Sequence, residues 1–169
     1  MIRIAKPEEI GALIEIIRIT FEKVSIDKSI EDHFGRLTGT PWINRKAVDI
    51  RRDLAQNPQG VFVKIVDNKI AGFITTVIDS EFSTGRIPHL AVLPEYQGKG
   101  IGKELLRHAL QYIKDSGMKL MRIEVLAHNK GALKLYREFG FEEVSTQLHL
   151  AMPVSKYETL RPEGRSFSF

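Results

Sequence analysis

The sequence predicts one α/β (α+β) domain, a mixed sheet with helices packed on both of its faces. Three observations predict it. Apolar residues alternate at period two in several short segments, the mark of half-buried strands. Other segments carry them at the i, i+3, i+4 spacing of helices. The two kinds interleave along 169 residues in the order β-α-α-β-β-β-α-β-α-β, closing on one long strand or a strand pair.

Residues 2–5 form a short alternating strand. Pro7-Glu8-Glu9 then opens a helix, with proline in the first turn and acids at the positive end of the dipole. Ile10, Leu13, Ile14, Ile17, Phe21 and Val24 continue it. Residues 28–57 are less regular and read as helices around Ser29–Leu37 and Lys46–Gln56. Gly60–Val66 and Ile70–Asp79 are strands joined at Asp67-Asn68-Lys69, so they form a hairpin. Arg86–Val92 is a third strand of this run. Pro88 within it removes a ladder donor and marks an edge, a bulge or a place where neighbouring strands part. Ile101, Leu105, Ala109, Tyr112 and Ile113 lie on one face of a helix that stops at Gly117. Leu120–Leu126 is a strand, Asn129–Phe139 a helix ended by Gly140, and Phe141–Val154 the closing strand or pair. The domain is expected to span 1–155, and 156–169 is a polar C-terminal tail without a placement.

Composition excludes several classes. Apolar residues make up 43% and charged residues 27%, as in ordinary globular domains. There is no cysteine, so neither a disulfide frame, a thiolate metal site nor a cysteine nucleophile exists. No metal site is expected. The start, Met1 to Pro7, is too short and too charged to act as a signal peptide. No apolar run approaches the ~18 residues of a membrane span. A cytoplasmic setting without membrane contact is expected. The net charge is +4, but basic residues alternate with acids and form no aromatic-interleaved stripe, so no nucleic-acid partner is expected.

The strongest local signal is Gln97-Gly98-Lys99-Gly100-Ile101-Gly102 at the start of an amphipathic helix. Glycines let amides turn inward and let a ligand approach closely. The helix start adds unsatisfied donors and partial positive charge, and Lys99 and Lys103 add full charges. The expected guest is a phosphate or pyrophosphate. A dinucleotide fingerprint starting at Gly98 would need glycine at Lys103, and a P-loop would need glycine at Gln97 and Ser or Thr at Glu104. Both fail.

A second motif runs from Asn129 to Phe141, with Asn129 as an N-cap and Tyr136 about two turns on. Together the segment Leu90 to Gly102, which contains Q-x-x-G-x-G, and the segment around Asn129 and Tyr136 resemble the GNAT acetyltransferases. The resemblance runs from about residue 60 to 145, more loosely from residue 2. It is similar in particular to the branch of ribosomal-protein N-terminal acetyltransferases.

The resemblance implies a mostly antiparallel sheet of six to seven strands, flanked by about four helices, with strands four and five splayed. It implies acetyl-CoA as acyl donor. The backbone of Leu90-Ala91-Val92 would pair with the pantetheine arm, and the amides of Gly98, Lys99, Gly100, Ile101, Gly102 and Lys103 would hold the pyrophosphate. Asn129 would contact the arm and Tyr136 would sit near the sulfur. The reaction implied is direct attack of a primary amine, of a small molecule or a protein, on the thioester in a ternary complex. The amine must first lose a proton. The oxyanion wants aligned amides, which the strand carrying Leu90 could supply. The leaving thiolate wants a proton, a role assigned to Tyr136.

The base stays open between Glu124, which matches the acid of the N-terminal acetyltransferase branch, His89, of the residue type whose unperturbed value lies near neutrality, and a water chain. In place of the carboxylate that relatives often carry before Leu-Ala-Val, this strand has Arg86, Pro88 and His89. The acceptor pocket implied lies at 25–57. An acidic cluster at 27–32 could attract a cationic amine, and Trp42 could wall a pocket or anchor the core. These residues do not identify the acceptor. A homodimer is common in the family. The competing reading is a non-catalytic acyl-CoA sensor on the same fold.

Overall fold

The computed structural model describes residues 1–160. Five strands form one sheet in the order β1-β2-β3-β4-β5: β1 (Ile2–Ile4), β2 (Val61–Val66), β3 (Lys69–Asp79), β4 (Thr84–Val92) and β5 (Leu120–Ile123). All pairs are antiparallel except β4 with β5. The β2–β3 hairpin turns through Asp67 and Asn68 at φ 48° and 59°. Asp and Asn tolerate this left-handed backbone, which matches the twist of the paired strands.

Two apolar layers sandwich the sheet. On one face α1 (Ile10–Thr20) and α3 (Trp42–Gln56) bury Leu13, Ile17 and Ile50 against Phe73 and Ala91. On the other, α4 (Ile101–Asp115) buries Leu105, Leu106, Ala109 and Ile113 against Phe62, Ile74 and Ile87. Helices on both faces are what the interleaved periodicities predict. Between α1 and α3 lies α2 (Ile26–Phe34), capped by the Ser25 hydroxyl, which accepts from the Lys28 amide at 3.4 Å, and ended at Gly35, φ 75°. The helix expected at 29–37 is therefore displaced towards the N-terminus, and the one expected at 46–56 ends at Gln56 as expected but starts earlier, with Ser25 and Pro41 setting the two starts. The chain ends its description with α5 (Lys130–Glu138) and α6 (Val154–Leu160).

The sheet has five strands where six to seven were expected. Residues 141–154 form no strand among the described residues. Their apolar residues do alternate, but Val144, Leu148 and Leu150 are 95%, 82% and 91% exposed. A period-two pattern specifies a strand only when a neighbouring strand supplies a ladder and a face to bury. The helix α6 crosses the boundary expected between 155 and 156. The rest of the predicted tail, 161–169, lies outside the described residues.

Pro88 governs the middle of the sheet. On the β3 side, Thr75 faces His89 and Val77 faces Arg86, so Ile87 and Pro88 together oppose one residue of β3. This bulge reverses the alternation of β4. Ile87 points to the α4 layer, whereas His89 and Ala91 lie on the α3 side. On the other side, the ladder with β5 ends at Ile87 opposite Ile123. Pro88 has no N–H to continue it. From Pro88 onward β4 has no β5 partner, which is the splay expected of strands four and five. It also stops β5 at Ile123, short of the expected Leu126.

Candidate functional site

The glycine loop leaves the end of β4 through a 3-10 turn, Pro94–Tyr96. Gly98 and Gly100 have φ of 74° and 81°, and a Cβ at either would meet nothing within 4 Å. Backbone conformation, not crowding, therefore demands glycine there. Gly100 is the N-cap of α4, and Glu104 is the first amide to bond back to it, at 3.0 Å. Among the described residues, the amides of Gly98, Lys99, Gly100, Ile101, Gly102 and Lys103 donate to no backbone carbonyl. They form a row of free donors at the positive end of a four-turn helix, a site for an anion. The Gln97 side chain faces away from this role. Its Nε2 donates to the Val92 carbonyl at 2.8 Å and ties the loop to β4. Lys99 lies over the Tyr96 ring at 5.4 Å, and Lys103 Nζ is 2.6 Å from Glu138.

The start of α4 touches α5. Besides the Lys103–Glu138 pair, a Cβ at Gly102 would lie 3.7 Å from Leu135 Cδ2. Asn129 caps α5, its Oδ1 accepting from the Ala132 amide at 3.2 Å. Tyr136 is packed in the same layer as Leu90 and Val92. Burial pushes its phenol up to about 12. Among the described residues its hydroxyl makes no hydrogen bond, yet no fully buried polar side-chain atom lacks a partner. The hydroxyl therefore reaches accessible surface while the ring stays buried. The phenol carries its proton at neutral pH and can donate it to a thiolate, although burial makes it a weaker acid than a free tyrosine.

Across β4 lies a polar cleft of about 180 Å³, walled by Asp53 of α3, Arg86, Pro88 and His89 of β4, and Glu124. Glu124 is not on a strand, as expected, but one residue beyond the end of β5, and its side chain is 74% exposed, 3.9 Å from Arg122. The Pro88 break in the ladder explains its release. His89 is 4% exposed. Its Nδ1 lies 2.9 Å from Asp53 Oδ2, and the Thr75 hydroxyl donates to the same oxygen at 2.8 Å. The Phe21 ring covers one side of the imidazole, 5.9 Å between centroids. A larger hollow, about 430 Å³, lies near Ile4, Leu54 and Pro58. It is mostly apolar and holds no acid or imidazole for proton transfer, so we place the chemistry in the smaller cleft.

The model of the Acetyltransferase (GNAT) family matches residues 26–141, well over half of the chain and both motifs. The chain belongs to this family. It is similar to an uncharacterized N-acetyltransferase of Methanocaldococcus jannaschii, 30% identical over 53% of this chain and 42% of that one. It is also similar to the ribosomal protein bS18-alanine N-acetyltransferase of Escherichia coli, 33% identical over 47% of this chain and 52% of that one. The chain thus spans about half the length of these curated relatives. In fold it matches the PaiA N-acetyltransferase of Thermoplasma acidophilum, solved with coenzyme A, at TM-score 0.70 and 24% identity over 87% of this chain and 92% of that one.

Within the GNAT frame, the acceptor side is shaped by local pairs and one buried ring. The acids at 27–32 are held locally: Asp27 lies 3.8 Å from Arg45 and Lys46, Glu31 accepts from Arg36 and from the Trp42 amide, and Asp32 pairs with Lys28. Trp42 is buried in the α1–α3 layer as an anchor. The buried carboxylate of the cleft, Asp53, carried no sequence expectation. Its signal was present. Ala47, Ile50 and Asp53 recur at three-residue spacing on one face of α3, and an acid on a buried helical face calls for a partner.

Among the described residues, no helix is long and apolar enough to cross a membrane, and no group of three His, Asp or Glu could hold a metal.

Proposed function

We propose that this chain is an acetyl-CoA-dependent N-acetyltransferase that moves the acetyl group to a primary amine by direct attack in a ternary complex. One observation carries the reading. A row of free amides at Gly98–Lys103 and the edge of β4 from Pro88 to Val92, which has no strand partner, share one layer with the buried Tyr136 ring, whose hydroxyl reaches accessible surface.

Acetyl-CoA supplies the acyl group as a thioester and leaves as a thiol. The residues present fit it. The amides of Gly98, Lys99, Gly100, Ile101, Gly102 and Lys103 would hold its diphosphate. The edge at Leu90-Ala91-Val92 has no strand partner, and apart from the Val92 carbonyl, which accepts from Gln97, it offers donors and acceptors for an amide-bearing arm, in the manner of an added strand. A β4 amide at that edge would face the oxyanion, and Tyr136 would protonate the leaving sulfur. Glu124 and His89, on the cleft across β4, are the two side chains that could take a proton from the amine. The coenzyme A bound in the PaiA neighbour supports a donor site of this kind in the fold. The bS18-alanine relative supports a peptide or protein α-amine as one acceptor class beside small amines. We place the enzyme in the cytoplasm.

The test is thiol release from acetyl-CoA by the full chain across a panel of alkylamines, polyamines and peptides with free N-termini, with the product identified by mass. Amine-dependent N-acetyl product is expected. Tight acetyl-CoA binding with no product from any amine would favour the sensor reading, and no binding would sink both.

A further inference from the structure

We propose that Asp53 and Thr75 make His89 the base of the transfer by fixing which of its ring nitrogens carries the proton. The inference rests on the acetyltransferase reading above and assigns the role left open between His89 and Glu124. His89 would be the catalytic residue. Asp53 and Thr75 act through it, as positioning residues.

The three side chains come from three elements: Asp53 from α3, Thr75 from β3 and His89 from β4. All are buried, at 4%, 0% and 4% exposure. A carboxylate in such a place is costly unless it is paired and hydrogen-bonded, and a buried pair by itself adds little to stability. The arrangement is specific. One oxygen, Asp53 Oδ2, accepts from the Thr75 hydroxyl at 2.8 Å and faces His89 Nδ1 at 2.9 Å. The Thr75 oxygen lies 3.2 Å from the same nitrogen. A carboxylate oxygen can only accept, and the hydroxyl proton is used on it. The nitrogen facing both oxygens must therefore be the donor. These partners assign the neutral imidazole as the Nδ1–H form, which leaves the lone pair on Nε2.

Nε2 faces the cleft. Among the described residues it has no hydrogen-bond partner and no fully buried polar side-chain atom is unpartnered, and His89 lines the cleft beside Glu124. The almost wholly buried ring thus presents its basic nitrogen where an acceptor would lie. The other charged groups of the cleft are disposed differently. Lys46 and Arg52 are both held by Asp49 on α3, Arg86 is exposed on β4, and Glu124 is mostly in solvent near Arg122. At the C-terminal end of α1 the uncharged Phe21 ring packs on the imidazole. Glu124 is placed to attract a cationic amine, and His89 to take its proton.

The protons balance. An alkylammonium gives one proton to His89 Nε2, and the Nδ1–H to Asp53 bond stabilises the imidazolium. The free amine bonds to the acyl carbon, the carbon–sulfur bond breaks, and the sulfur takes a proton from Tyr136. The adduct nitrogen loses its second proton, which restores the phenol, while His89 releases the first to solvent.

Nitrogen-15 NMR of histidine-labelled protein without substrate tests the tautomer directly. His89 should show a protonated Nδ1 and a bare Nε2. Asp53→Asn should invert them, because its amide donates to Nδ1. Kinetically, Asp53→Asn and His89→Gln should lower kcat about 10²–10⁴-fold with an alkylamine acceptor. With hydroxylamine, already unprotonated at neutral pH, the loss should be at least ~10-fold smaller. Thr75→Val should lie between these and wild type, and acetyl-CoA affinity and cooperative melting should persist in all three. A wild-type ring protonated at Nε2, an unchanged kcat in Asp53→Asn, or equal losses with both acceptors would overturn the proposal. A wild-type protein that turns over no amine fails the acetyltransferase reading instead, and the nitrogen spectrum still passes or fails the tautomer.

Discussion

The glycine loop and the polar cleft flank the same strand, β4, and are built in opposite ways. The loop works through backbone. Its amides are free, Gly98 and Gly100 hold positive φ, and the Gln97 side chain ties the loop down. The cleft works through side chains gathered from three elements, with Asp53 and His89 separated by 36 residues in sequence. A backbone site tolerates changes of charge and is intolerant of changes of conformation. A side-chain site has the reverse sensitivities. Tyr136 belongs with the cleft in kind, because a single hydroxyl on a buried ring carries its role.

The largest expected effect follows from that. Tyr136→Phe removes one atom from a ring whose packing stays the same. It should lower kcat about 10²–10⁴-fold, the usual worth of a positioned acid. Acetyl-CoA affinity, set by the loop, should stay within about twofold. Steady-state kinetics with calorimetric binding check both halves. An unchanged kcat would remove Tyr136 from the chemistry, and a parallel loss of affinity would erase the division between the two regions.

The same phenol makes a smaller, pH-dependent prediction. Burial raises Tyr136 from 10.0 to about 12, so the folded chain holds this proton more tightly than the unfolded chain. That contribution is complete below about pH 10 and is lost as pH rises towards 12. Two units correspond to about 2–3 kcal/mol. Tyr136→Phe has no proton to lose, so its melting temperature should fall less steeply than that of wild type from about pH 9 to about pH 12. Identical slopes would show that the hydroxyl is solvated in the fold.

The same contrast explains what was legible in the sequence. The loop lies in consecutive residues, and its amide geometry needs glycine at fixed spacing, so Gln97 to Gly102 shows it openly. Asp67-Asn68 and Pro88 were legible for similar reasons, since each restricts its own backbone. Asp53 was not, because an acid on a helix declares itself only when the residue across from it is known. That residue, His89, reaches it through the bulge at Ile87-Pro88, which turns the strand over. The alternation at 144–154 promised a strand for the opposite reason. The local pattern is present, but pairing depends on a neighbour that periodicity cannot supply.

The smallest effects should come from the loop's charges, and they sharpen the comparison most. Gly100→Val places a β-branched side chain at φ 81°, where the strain costs at least about 1–2 kcal/mol. Relieving it would turn the amides away, so acetyl-CoA should bind about tenfold more weakly or worse. Lys103→Ala removes a full positive charge from the same turn, yet that side chain is 53% exposed and already paired with Glu138 at 2.6 Å. Exposed pairs of this kind are screened by solvent, so affinity should fall only a few-fold, and less at high salt. Titrating acetyl-CoA into both variants decides between amides and point charges as the holders of the anion. If Lys103→Ala fell as far as Gly100→Val, the loop would have to be regarded as a side-chain site like the cleft, and the glycines as spacers that bring the lysines to it.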